Sequence, residues 1–147
     1  MKYTTEIEIE LPVKKVVALF DNPDNMKKWM TGLERFEPLS GIPGQVGAKS
    51  RITFKMRQGT MELIETITVR NLPHEFSGTY ETKGVFNIVK NKFTDLGNNR
   101  TKYTSEQEFR FSGFMKIIAF LMPGSFKKQS LIYLRDFKAF AETGKQV

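Results

Sequence analysis

Glu65 carries the clearest chemical tension in this chain. Its predicted strand places it on one face with Met61, Leu63, Ile67 and Val69, because side chains on a strand alternate faces. A carboxylate aimed into an apolar interior must find a partner or hold its proton to higher pH, and the second state is what a general acid or base uses. A bulge near Ile64 would instead turn Glu65 to solvent, and a salt bridge would satisfy it structurally. Tyr80, Tyr103, Ser105 and Gln107 fall on inward faces of other predicted strands. They are the kind of sparse polar groups that orient a ligand in a mostly apolar pocket, or they simply hydrogen-bond one another.

The remaining inventory points away from other chemistries. His74 is the single histidine; it follows Pro73 in a predicted loop, without a second metal ligand or a nucleophile, and reads as an exposed turn residue. Phosphate-cradling glycine loops, the GxSxG elbow and the HExxH helix are all missing. With no cysteine, disulfides and thiolate metal sites are excluded. No cofactor and no metal site is expected.

Positioning these residues requires a sheet and something for it to enclose. Tyr3, Thr5, Ile7, Ile9 and Leu11 alternate with polar residues as a half-buried strand. Two short helices follow, one with Val16, Val17, Leu19 and Phe20, the other with Met26, Trp29 and Met30. Six more strands are predicted: Leu33 to Leu39, about Lys49 to Arg57, Met61 to Val69, Phe76 to Thr82, Val85 to Phe93 and Lys102 to Phe111. Short connections between them imply an antiparallel meander. The last element, a helix over roughly Phe114 to Ala141, is apolar well beyond the stripe of about 100° that a surface helix needs. Met122-Pro123-Gly124 should kink or break it. A curved sheet wrapped round this helix, enclosing a cavity, accounts for the pattern. Trp29, Phe54, Met56, Phe126, Ser130 and Leu134 are expected to line the cavity wall, with Glu65, Tyr80, Tyr103 and Gln107 orienting the ligand. On that reading an arginine at Phe54 should block uptake in a folded protein.

Length and charge set the remaining bounds. At 147 residues the chain suits one domain, residues 1–147, with a real core. Its longest apolar run, Ile117 to Met122, is far short of the ~20 residues that span a bilayer. The start of the chain lacks a signal peptide's apolar run, so a cytoplasmic protein is expected. The net charge of +7 is spread among acidic residues, which argues against a nucleic-acid surface. Lys90, Lys92, Arg100 and Lys102 flank a turn at Gly97-Asn98-Asn99 and read as a lysine-protected edge. Phe114 to Met122 carries apolar residues on its outer side as well; that surplus could form a homodimer surface, touch a membrane transiently with help from Lys116, Lys127 and Lys128, or pack on the small helices.

The element order resembles the START-like, or SRPBCC, helix-grip superfamily of polyketide cyclase-like proteins and Bet v 1 allergens. The stretches that carry the likeness are Ile9-Glu10-Leu11-Pro12 with Val16, Leu19-Phe20-Asp21, Pro23 and Trp29; Pro43-Gly44-Gln45-Val46-Gly47; and Val69 through Phe76. The resemblance spans nearly the whole chain. It implies a cavity between sheet and long helix for lipids, sterols, polyketides or other apolar molecules, and no particular chemistry. The expectation is an α+β helix-grip protein that binds a hydrophobic small molecule without catalysis, for transport or sensing. A cyclase- or dehydratase-like enzyme using Glu65 and Tyr80 is the first alternative, and a chaperone-cochaperone-like interaction module the second.

Overall fold

A computed structural model describes residues 1–147. The strands are β1 (Lys2–Ile9), β2 (Leu33–Ser40), β3 (Lys49–Lys55), β4 (Thr60–Asn71), β5 (Glu75–Thr82), β6 (Val85–Gly97) and β7 (Arg100–Phe111). Helices α1 (Val13–Phe20) and α2 (Met26–Trp29) follow β1, and α3 (Phe114–Leu121) and α4 (Pro123–Thr143) close the chain. The seven strands form one antiparallel sheet in the order β1-β7-β6-β5-β4-β3-β2. This is the expected helix-grip arrangement: a meander from β2 to β7, with β1 returning beside β7 and the small helices spanning between the two edges. No helix is long and apolar enough to cross a membrane.

Local sequence explains the punctuation. Asn98 and Asn99 both take positive φ, 52° and 56°, the left-handed pair that a tight hairpin needs and that asparagine tolerates. The predicted terminal helix is two helices. Pro123 has no amide hydrogen to continue α3 and instead occupies the first turn of α4, where a missing donor costs nothing. Helix α4 ends at Gly144, whose φ of 71° provides the left-handed C-terminal cap.

The core is polarised along the sheet. Ile9, Val16, Trp29, Phe93, Tyr103, Leu134, Phe137, Phe140 and Ala141 form one buried cluster, drawn from the end of β1, α1, α2, the far ends of β6 and β7, and the second half of α4. Aromatic rings fill it: Phe137 meets Trp29 at 5.0 Å, Tyr103 at 5.6 Å and Phe20 at 5.9 Å between centroids. Helix α4 is fastened to the β1 edge. Tyr3 Oη donates to the Phe126 carbonyl at 3.0 Å and shares a hydrogen bond with Ser130 Oγ at 2.7 Å. Lys138 Nζ donates to the Glu8 carbonyl, and Glu10 N–H donates to the Glu142 carboxylate, at 2.7 and 2.8 Å.

Two of the four basic residues around the β6–β7 hairpin are paired, and Lys90 and Lys102 make no ion pair. Lys92 meets Glu106, and Arg100 meets Glu8 and Glu10. The expected lysine-protected edge is not one: β6 and β7 are inner strands, with β1 covering β7, and the acids of β1 and β7 neutralise half of the basic group.

Candidate functional site

The strand registers line up concave-facing side chains in rows that run across the sheet. One row is Ser50, Glu65, Tyr80, Asn87 and Phe109, contributed in turn by β3 to β7. The adjacent row is Ile67, Gly78, Val89, Gln107 and Tyr3, from β4, β5, β6, β7 and β1. Neighbouring strands lie about 4.8 Å apart, so members of a row touch even when far apart in sequence. The bulge in β4 falls between Ile67 and Val69. It lies beyond Glu65, which keeps its inward facing, while Val69 leaves the row and pairs with Ser77.

Glu65 is 7% exposed and accepts a 2.8 Å hydrogen bond from Tyr80 Oη. Burial, the larger influence, raises its pKa above the usual carboxylate value; the bond from Tyr80 pulls the other way. Tyr80 is pushed well above an ordinary phenol by burial first and then by the neighbouring Glu65 charge. Tyr80 is therefore a hydrogen-bond donor rather than a base. Glu65 is an acid whose neutral form persists to higher pH than usual.

A second polar group lies one strand further on. Asn87 Nδ2 donates to Gln107 Oε1 at 3.0 Å and to the Glu108 carbonyl at 3.2 Å. Gln107 Nε2 donates in turn to Ser105 Oγ at 2.8 Å. Tyr103 Oη donates to Asn91 Oδ1 at 2.9 Å inside the core, and burial raises the Tyr103 pKa. Asn87 and Asn91 were not singled out from the sequence. Their signal was available: in Val85, Asn87, Val89, Asn91 and Phe93 two asparagines hold apolar-face positions of a strand, where asparagine is depleted.

Burial divides this surface. Toward the small helices Thr101, Tyr103, Ser105, Asn91 and Phe93 are buried. Toward the β5–β6 turn Tyr80, Thr82, Val85, Asn87, Gln107, Phe109 and Phe111 are only half-buried, although they face the helix side. Phe126, on the first turn of α4, packs on Phe109 and Phe111 at 5.0 and 5.2 Å and roofs part of this half. Gly78 is closely packed: a Cβ there would meet the Thr66 carbonyl oxygen at 3.0 Å and Tyr80 Cε2 at 3.8 Å, so only glycine fits between β4 and the Tyr80 ring. A cleft of about 300 Å³ lies across the rim, lined by Glu81, Phe86 and Arg110 of the outer face as well as by Thr82, Val85 and Phe111.

The expected wall residues separate accordingly. Glu65, Tyr80, Gln107 and Phe126 border the open half. Ser130 is buried and held by Tyr3. Trp29 and Leu134 belong to the packed cluster, as does Tyr103, although Trp29 Nε1 is a buried donor without a protein acceptor. Phe54 is buried too, so an arginine there would bury an unpaired charge and unfold the chain instead of merely blocking uptake. Met56 lies past the end of β3, in the turn before β4, and is 47% exposed; strand parity stopped applying one residue earlier. His74 is exposed, and no three metal-ligating side chains come together.

The Glu65 geometry yields a pH test. The carboxyl titrates higher in the folded chain than in the unfolded one, where its value is near 4.5. Below the unfolded value both states hold the proton and burial costs nothing; stability is lost as pH rises through the folded value. Glu65→Gln should match the parent at pH near that unfolded value and melt measurably higher than the parent by neutral pH. An identical difference at both pH values would show that Glu65 does not titrate abnormally.

The family described as polyketide cyclase / dehydrase and lipid transport matches residues 1–131 of the chain. No curated protein matches its sequence. Among solved structures, a conserved protein from Geobacillus kaustophilus superposes with a TM-score of 0.80 at 16% identity, covering 99% of this chain and 97% of that one. The ZhuI aromatase/cyclase from Streptomyces sp. R1128 gives 0.77 at 13% identity, covering 97% and 93%. Norcoclaurine synthase from Thalictrum flavum gives 0.70 at 14% identity, covering 95% and 85%. At these identities the likeness is one of fold.

Proposed function

Because the chain belongs to the polyketide cyclase / dehydrase and lipid transport family, we propose that it binds a hydrophobic small molecule in the open half of its concave face, between the sheet and the start of α4. One observation carries this reading: residues on the face that should be core are left half-buried, and the polar groups among them are already oriented by hydrogen bonds. Phe109, Phe111, Phe126, Val85 and Val89 would receive an apolar body. Glu65, Tyr80, Asn87 and Gln107 would set the position of one or two oxygen atoms on it, so a ligand with a hydroxyl or carbonyl fits better than a pure hydrocarbon. Trp29, Leu134 and Tyr103 would act from the packed end, as the floor against which the ligand stops.

An enzyme reading has one observation in its favour, the Glu65–Tyr80 pair. A neutral carboxylic acid oriented by a tyrosine could deliver a proton to a bound carbonyl oxygen, as a cyclase or dehydratase requires. Binding is preferred because the pair makes no side-chain hydrogen bond to a further acid or base that would take the proton back.

Native mass spectrometry of the protein purified from cells, followed by organic extraction, tests the binding reading. A co-purified lipid, sterol or aromatic metabolite is the expected result. A bare protein mass, together with no thermal shift across a panel of lipids and polyketides, would sink the proposal and favour an interaction module.

A further inference from the structure

Helix α3 is apolar on both sides. Met115, Ile118 and Ala119 face inward, with Ala119 buried, and Met115 lies against Gly84 at the sheet rim. Phe114, Ile117, Phe120 and Leu121 face outward, where Phe120 is 84% and Phe114 71% exposed. An ordinary surface helix presents polar side chains to water; the only charged residue in α3 is Lys116. A contiguous exposed apolar surface of this kind marks an interaction site.

Charge distribution says what kind of partner fits. From Phe109 to Arg135 the chain carries Arg110, Lys116, Lys127, Lys128 and Arg135 and not one aspartate or glutamate. Arg110 is paired with Glu108, and a second acid-free stretch, residues 38–61, carries Lys49, Arg51, Lys55 and Arg57, but that one has no helix with an outward apolar face beside it. Lys116, Lys127 and Lys128 are exposed and make no ion pair. Four outward apolar side chains next to unpaired lysines are the composition of a helix that lies in a bilayer interface.

We propose that α3 and the first turn of α4 dock on an anionic membrane surface. The outward face of α3 enters the boundary between headgroups and acyl chains, and Lys116, Lys127 and Lys128 contact lipid phosphates. Because α3 also abuts the rim at Gly84, where the cleft opens, docking would bring that opening to the lipid. The docking itself stands apart from the ligand reading, since vesicles without cargo test it.

The experiment is co-sedimentation of the full chain with vesicles of phosphatidylcholine alone, or of phosphatidylcholine and phosphatidylglycerol in equal parts. Binding should require phosphatidylglycerol and weaken at least ~10-fold when salt rises from about 0.1 M to about 0.5 M. Lys127→Glu with Lys128→Glu, and separately Ile117→Ser with Phe120→Ser, should each weaken it at least ~10-fold while leaving the melting temperature unchanged, because all four positions are exposed. Absence of co-sedimentation, or equal binding to phosphatidylcholine alone, would overturn the proposal. So would a dimer by light scattering that Ile117→Ser with Phe120→Ser converts to monomer, since that assigns the face to a second copy of the chain.

Discussion

Alanine at Phe137 should lower the melting temperature by about 12 °C, because removing a buried phenylalanine costs ~4 kcal/mol. Phe137 is completely buried and brings α4 into the aromatic cluster, touching Phe20, Trp29 and Tyr103. Those three rings come from the end of α1, the end of α2 and β7, so the truncation would remove the contact that ties α4 to the small helices and the sheet together. Rings locked edge to face cannot collapse into the void without losing their own contacts, which places the expected cost in the upper part of the range for such changes. A loss of this size is a large fraction of the 5–15 kcal/mol that holds an ordinary domain folded. Thermal unfolding followed by circular dichroism checks it. A drop of under about 3 °C would mean that this end of the molecule is loose, and that the division into a closed and an open half is wrong.

Tryptophan at Val85 should weaken binding of an apolar fluorescent probe at least ~30-fold, a loss of about 2 kcal/mol, while moving the melting temperature by only a few degrees. Val85 faces the concave side in register with Thr82 and Phe111, is half-buried, and lines the rim cleft. An indole there fills space that the native chain leaves open, so it displaces ligand rather than packed core. The size of the effect follows from area: a ligand that buries roughly 300 Å² in this half gains about 7 kcal/mol before association costs. Titration of 1-anilinonaphthalene-8-sulfonate with the parent, with Val85→Trp and with Thr94→Trp reads it. Thr94 is exposed on β6 and serves as the control. Unchanged affinity in Val85→Trp would move the binding site away from the open half.

Much of the architecture was legible because it is written in local period. Alternation in Tyr3 to Leu11 and in Lys102 to Phe111, the Asn98-Asn99 turn and the break at Met122-Pro123 each depend on a few consecutive residues. Parity also placed Glu65 on the inner face, and did so only because the bulge in β4 comes after it. Met56 shows the limit of the same argument: it lies one residue past the end of β3, where alternation no longer governs the chain. Trp29 and Leu134 show another. Sequence marks them as large and apolar, and a packed core uses such residues in the same way as a cavity wall.

The sequence by itself determined the seven strands, the two small helices, the divided and greasy C-terminal helix, and the presence of a few polar residues on an apolar face. These follow from short-range sterics and hydrophobic periodicity. Only the tertiary structure decided which of those residues meet. Register across five strands sets Glu65 beside Tyr80 and Tyr80 beside Asn87, and Asn87 bonds to Gln107 from the next strand. It also decided where the core closes, since α4 is drawn to β1 by Tyr3, Ser130, Lys138 and Glu142 and leaves the β5–β6 end of the concave face half-covered. Contacts between residues far apart in the chain depend on how a twisted sheet curves and where a helix crosses it, and no local pattern carries that information.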